Sequence, residues 1–178
     1  MTLEARTREA VRAELERLVD AYGEVPVDRE TVTNEPDLFS AGRELAEEGW
    51  LGEAGAWVEN EAGEILLVRH EGAPDTWGTP GGAHDPGEGL ADTARRAVRE
   101  TTGVECDLTS LYFARWKTVV NAADDDERLH MLTVEFEAAA TSEDVSAGAD
   151  GVLEACWFGT LPDRLHEVPA RKVADDGE

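Results

Sequence analysis

The sequence predicts an α/β domain, and three observations carry that expectation. Apolar residues recur at helical spacing near the N-terminus and again after residue 89. Period-two alternation marks strands in the middle of the chain and near its end. Gly and Pro crowd between residues 72 and 86, separating strand-like from helix-like sequence. The chain has 178 residues and is 41% hydrophobic, enough for one domain with its own core.

Leu3 to Tyr22 is predicted to be an amphipathic helix, because Val11, Leu15, Leu18 and Tyr22 repeat at helical spacing between Arg and Glu. Gly23 ends it. A looser stretch with Pro26 and Pro36 follows, then a short helix from about Pro36 to Glu48 carrying Leu38, Phe39 and Leu45. Residues 1–50 therefore read as an N-terminal helical extension, which either covers one face of the main domain or forms a homodimer contact.

The main domain is expected over residues 51–170. Ala56 to Glu59 and Ile65 to Arg69 read as strands joined by a turn at Glu61-Ala62-Gly63. Gly72 to Pro86 reads as loop. Gly89 to Thr102 reads as a helix with Leu90, Ala91, Ala94, Ala97 and Val98 on one side. A long strand is expected from Leu108 to Val120, an acidic loop from Asn121 to Arg128, and a strand from His130 to Ala138. Thr141 to Gly151 should be loop, Leu153 to Phe158 a strand, and Leu161 to Val168 a short helix. Residues 171–178 read as a frayed tail.

Charge narrows the partners. There are 40 Asp plus Glu against 16 Lys plus Arg, a formal net charge of −24. Such a field disfavours nucleic acid and membrane surfaces as partners. It also repels a phosphorylated substrate, so phosphate chemistry here needs a bound cation or a local basic cluster. Only Lys117 and Lys172 are lysines. Acid-rich, lysine-poor chains resemble proteins of extreme halophiles, because at molar salt the Debye length is roughly 3 Å and crowded carboxylates repel little. Cys106 and Cys156 are too few for a disulfide framework or a structural zinc and read as buried free thiols. No signal peptide or membrane-length apolar run is apparent, so a cytoplasmic location is expected.

The informative stretch runs from Gly81-Gly82-Ala83-His84-Asp85-Pro86-Gly87-Glu88 through a helix to Arg96, Glu100, Gly103 and Val104. Paired glycines allow a tight turn ahead of a helix. Glu88 at the helix entrance suits the macrodipole, and Arg96 and Glu100 lie one turn apart. Such a loop–helix–loop can present carboxylates to a divalent metal that holds a diphosphate, since Mg²⁺ takes hard oxygen ligands.

Gly82, Glu88, Arg96, Val98, Glu100, Gly103 and Val104 fall in unbroken register with the Nudix box, so this stretch resembles the Nudix (MutT-like) hydrolase superfamily. Trp77-Gly78-Thr79-Pro80-Gly81-Gly82 is similar to the entrance to that box, and Glu154-Ala155-Cys156-Trp157-Phe158 to the family's closing strand. The resemblance implies an α/β/α sandwich with a mixed β-sheet. It also implies hydrolysis of a nucleoside diphosphate linked to another group, with Mg²⁺ or Mn²⁺ as cofactor.

The chain departs from the box at two acids, where it has Ala97 and Thr101. Alanine offers no ligand and threonine only a neutral hydroxyl. By resemblance, the catalytic candidates are Glu100, Arg96 and Glu88, with Glu88 as the remaining partner of Arg96. Substrate-binding candidates are Gly81, Gly82, Arg69 and Arg115; metal candidates are Glu100 and, from the later loop, Glu143 and Asp144. Asp150, Glu135 and Glu137 are further acids in reach. Asp92 points about 80° from Glu100 around the helix and substitutes poorly. His84 reads as a solvated loop residue or a phosphate contact, and Trp57, Trp77, Trp116 and Trp157 as core. Two readings stay open: a hydrolase with a weakened metal site, or a catalytically silent nucleotide-binding or interaction module on the same fold.

Overall fold

The computed structural model describes residues 1–176. Helix α1 spans Leu3–Tyr22, with Thr7, Val11, Glu14 and Leu18 buried at the spacing of one helix face. Thr2 caps it by accepting the Ala5 N–H at 3.1 Å. Gly23 closes it with φ of 97°, a backbone state that favours glycine.

The stretch expected to be loose is a strand, β1 (Val27–Asn34), followed by helix α2 (Pro36–Glu47). Its sequence, Val-Asp-Arg-Glu-Thr-Val-Thr-Asn, hides the strand because an edge strand needs little apolar surface. It pairs in parallel with β6 (Cys106–Asn121), which forms a long antiparallel hairpin with β7 (Asp124–Ala140). The predicted acidic loop is thus mostly strand, with the chain reversing at Ala122-Ala123. Strand β7 runs parallel to β2 (Gly52–Glu59), and β2 turns at Gly63 into β3 (Ile65–His70).

The Gly- and Pro-rich stretch contains two short strands, β4 (Ala73–Gly78) on β3 and β5 (Gly81–Ala83) on β2. The closing strand β8 (Val152–Phe158) pairs with β3. One mixed sheet of eight strands results, in the order β1-β6-β7-β2-β3-β4, with β5 and β8 branching from β2 and β3.

Helices lie on both faces of this sheet, as expected for an α/β/α sandwich. Helices α1 and α3 (Leu90–Thr102) cover one face, where Val11, Leu18, Leu90, Val98, Ala56, Val58, Leu132, Val134 and Phe136 form the main core. Each fully buried Leu or Phe there contributes roughly 1.5–3 kcal/mol. Alternation sends Trp57, Glu135 and Glu137 to the opposite face, where helix α4 (Glu167–Asp176) packs. The predicted helix at Leu161 to Val168 begins later, because residues 164–166 bond instead to Trp77: Trp77 N–H donates to Arg164 O and His166 N–H to Trp77 O. Part of the expected frayed tail is therefore helical to Asp176, and residues 177–178 lie outside the described range. Among the described residues, no helix is long and apolar enough to cross a membrane.

The N-terminal helices belong to this packing. Helix α3 starts at Gly89, which has no capping side chain. Its Leu90 N–H is accepted at 2.8 Å by Glu14 of α1, a buried carboxylate also paired with Arg17. Both cysteines are free; Cys106 is buried and Cys156 half-buried.

Candidate functional site

A cleft of about 460 Å³ opens beside the glycine turn. It lies on the α4 face of the sheet. Gly81 and Gly82 form one wall, and β6 and β7 supply Phe113, Arg115, Lys117, Thr133 and Glu135. The Trp77 pairing that displaces α4 brings His166 and Glu167 to the rim.

Glu135 is the most unusual group in the cleft. Its carboxyl lies over Gly55, where an added Cβ would sit 2.8 Å from a carboxyl oxygen and equally close to the Pro80 carbonyl, so only glycine leaves it room. The Thr79 hydroxyl donates to Glu135 Oε1 at 2.9 Å, and the Tyr112 hydroxyl lies 3.5 Å from Oε2. Burial raises the Glu135 carboxyl to about 8, against the opposing effect of these two hydroxyls, and Glu53 pushes it further in the same direction. At neutral pH it is mostly protonated.

The box helix is organised around Arg96. Its guanidinium lies 2.6 Å from Glu88, 3.2 Å from Glu100 and 3.4 Å from Asp85, and it donates to the Ala83 carbonyl at 2.8 Å. The hydrogen bond from Arg96 holds Glu88 down to about 2, helped by Thr93. Glu100 is exposed and does not line the cleft. Ala97 is buried, its Cβ 3.3 Å from where a Cβ on Gly82 would stand. Thr101 donates its hydroxyl to the Ala97 carbonyl at 2.7 Å.

Glu143 and Asp144 are exposed on a loop pinned over the end of α3 by its backbone. Ser146 N–H donates to Thr102 O at 2.8 Å, and Trp157 Nε1–H to Glu143 O at 3.1 Å. Among the described residues, no group of three or more His, Cys, Asp or Glu is arranged to hold a metal ion. Mg²⁺ needs several hard oxygens in near-octahedral array. The carboxylates kept by the box are engaged by Arg96, Ala97 offers no oxygen, and the Thr101 hydroxyl bonds its own helix. The residues present do not fit a divalent ion at the box.

Arg69 braces the neighbouring strands, bonding the Pro74 carbonyl at 2.8 Å and Glu154 at 2.9 Å, and is not part of the cleft lining. Arg115 does line it, paired with Glu167 at 2.8 Å and closer than 4 Å to Asp28 and Glu30. His84 is buried rather than solvated. Its Nδ1 accepts the Leu51 N–H at 3.1 Å, and its Nε2 lies 2.6 Å from Glu88 O, so it pins the glycine loop. Trp57 and Trp116 are buried, and Trp77 and Trp157 half-buried. Glu53, Thr79, Tyr112 and His166 escape sequence reasoning, because only strand register and the fold-back of residues 164–166 bring them together.

Residues 49–161 match the NUDIX domain family. The chain belongs to the Nudix family. It is 39% identical over 66 residues to nucleoside diphosphate-linked moiety X motif 6 of Mus musculus, a stretch covering 36% of this chain and 21% of that protein. It is 42% identical over 53 residues to a putative 8-oxo-dGTP diphosphatase of Bacillus subtilis (strain 168), covering 30% of this chain and 35% of that one. The chain thus matches about a third or less of the length of these relatives. A Nudix hydrolase from Nitrosomonas europaea shares the fold with a TM-score of 0.53 at 21% identity, over 72% of each chain.

Proposed function

We propose that this chain binds a nucleoside diphosphate derivative in the cleft beside Gly81 and Gly82, and hydrolyses its diphosphate only weakly or not at all. The observation that carries this reading is the Arg96 cluster. One guanidinium holds both Glu88 and Glu100, while Ala97 and Thr101 stand where the box has acids. The cleft itself is intact, and a fold can keep its cleft after losing its chemistry. The coarse substrate class follows family membership and the names of the relatives. The free thiols support a reducing, cytoplasmic setting, and the acid excess supports adaptation to concentrated salt.

The test is a panel of nucleoside diphosphate derivatives, scored for binding and for phosphate or nucleotide release with and without Mg²⁺. Binding is expected, with release near the uncatalysed background. Replacing Ala97→Glu and Thr101→Glu together should raise release at least about tenfold, about 1.4 kcal/mol of barrier. Wild-type turnover on the order of 1 s⁻¹ or faster would refute the loss of chemistry. Absence of binding across the panel would remove the ligand reading.

A second reading, retained hydrolysis, draws support from Glu135. A carboxyl whose titration is raised toward neutrality in a cleft has the properties of a general acid–base group, mostly in its acid form at pH 7. Under that reading Glu135→Gln abolishes whatever release the wild type shows.

A further inference from the structure

We infer that Lys117 is the anion anchor of this cleft and holds a nucleotide phosphate without a bridging metal ion, an inference that rests on the ligand reading above. A chain of net charge −24 repels phosphate unless a cation stands beside the binding position. The box does not supply a metal site, so the cation must come from the protein. Arg115 and Lys117 are the Arg and Lys side chains lining the cleft. Arg115 is already engaged by Glu167, Glu30 and Asp28. Lys172, the other lysine, is held by Glu137 and Asp176 and packs over Trp57 and Tyr112. The Lys117 side chain makes no ion pair or hydrogen bond among the described residues, although Glu30 lies beside it in strand register.

Register separates this cation from the acids of the cleft. Glu53, Thr133 and Arg115 share one row across the sheet, and Glu135 pairs with Phe113 in the next. Lys117 lies two residues beyond Arg115, where β7 contributes Met131, while Glu30 on the β1 side is drawn to Arg115 at 3.5 Å. Four residues of strand separate Lys117 from Phe113, on the order of 13 Å. That span suits a ligand with phosphate at one end and an uncharged polar group, a base edge or sugar hydroxyl, at the Thr79–Glu135 end. A half-buried ammonium is a compact charge with three donors, suited to phosphate oxygens.

The experiment is calorimetric titration of ADP and of adenosine into the wild type, Lys117→Gln and Lys117→Arg, in EDTA and then with Mg²⁺. ADP should bind the wild type in EDTA, with affinity changed less than about twofold by Mg²⁺. Lys117→Gln should lose about tenfold or more in ADP affinity, equivalent to about 1.4 kcal/mol. Lys117→Arg should keep most of it, and adenosine should not distinguish the variants. Equal ADP affinity in Lys117→Gln, or loss of wild-type ADP binding in EDTA, overturns the inference while leaving the cleft as a ligand site. If neither ADP nor any nucleotide of the wider panel binds, the ligand reading fails and this inference with it.

Discussion

Arg96 and Glu88 meet at 2.6 Å across the junction between the glycine loop and α3, and this pair fixes what the box can do. The carboxylate also accepts from Thr93 and from the Asp85 N–H. A group so satisfied is a brace for the loop, and its charge is no longer available to an incoming ion.

The brace predicts a signed pH dependence. The Glu88 carboxyl titrates near 2 in the fold against an ordinary 4.5. Depression in the folded state stabilises it above about pH 4.5, and that stabilisation disappears as pH falls toward 2. Glu88→Gln should therefore cost about 1–3 kcal/mol at neutral pH, allowing for partial solvent screening. Denaturant unfolding of wild type and variant between pH 2 and 7 checks this. A difference that stays constant across the window would show that the ion pair contributes little.

A second prediction concerns the join between the N-terminal helices and the box. Glu14 accepts the Leu90 N–H at 2.8 Å and so caps a helix that starts on glycine. Glu14→Ala should cost about 1–2 kcal/mol, and Glu14→Gln less, because an amide oxygen can still accept. Hydrogen exchange at the first turn of α3 should speed up in Glu14→Ala. Unchanged exchange there would mean that the cap comes from elsewhere.

The reach of the sequence differed between fold and site. Helices α1 and α3 were legible because their apolar faces repeat at 3.6 residues and end on Gly23 and Gly103. Strand β1 was not, since its stability comes from pairing with β6 rather than from its own apolar content. The box residues could be read in register, and so could the pairing of Arg96 with Glu88 and its place one helical turn from Glu100. Nothing local says that the same guanidinium would also reach Asp85. Nor does anything local bring Thr79 to Glu135 across 56 positions of chain. His84 was misread because a loop histidine between Gly, Ala, Asp and Pro looks solvated, while its ring in fact ties Leu51 to Glu88.

Salt should stabilise this protein. With 40 acids against 16 basic residues, the folded state concentrates negative charge that the unfolded chain spreads out. Raising KCl from 0.1 M to 2 M shortens the Debye length from about 10 Å to less than about 3 Å. The melting temperature should climb over this range and flatten once screening is complete. A flat or falling profile would argue against adaptation to concentrated salt.

The last prediction returns to the cleft floor. Glu135 titrates near 8 in the fold and near 4.5 when exposed, so the folded state retains a proton that the unfolded chain has released. An acid raised in this way contributes most below pH 4.5, and stability falls as pH rises toward 8. Within that window the slope approaches about 1.4 kcal/mol per pH unit from this one group. Glu135→Gln removes the titration while keeping an oxygen for the Thr79 hydroxyl. The variant should therefore gain on the wild type steadily between pH 5 and pH 8, as read from denaturant midpoints at fixed salt. Parallel curves for the two proteins would mean that the carboxyl is already ionised in the fold. An ionised Glu135 would put a second negative charge in the cleft beside Glu53, working against a phosphate ligand and removing the neutral polar end that Lys117 is paired with here.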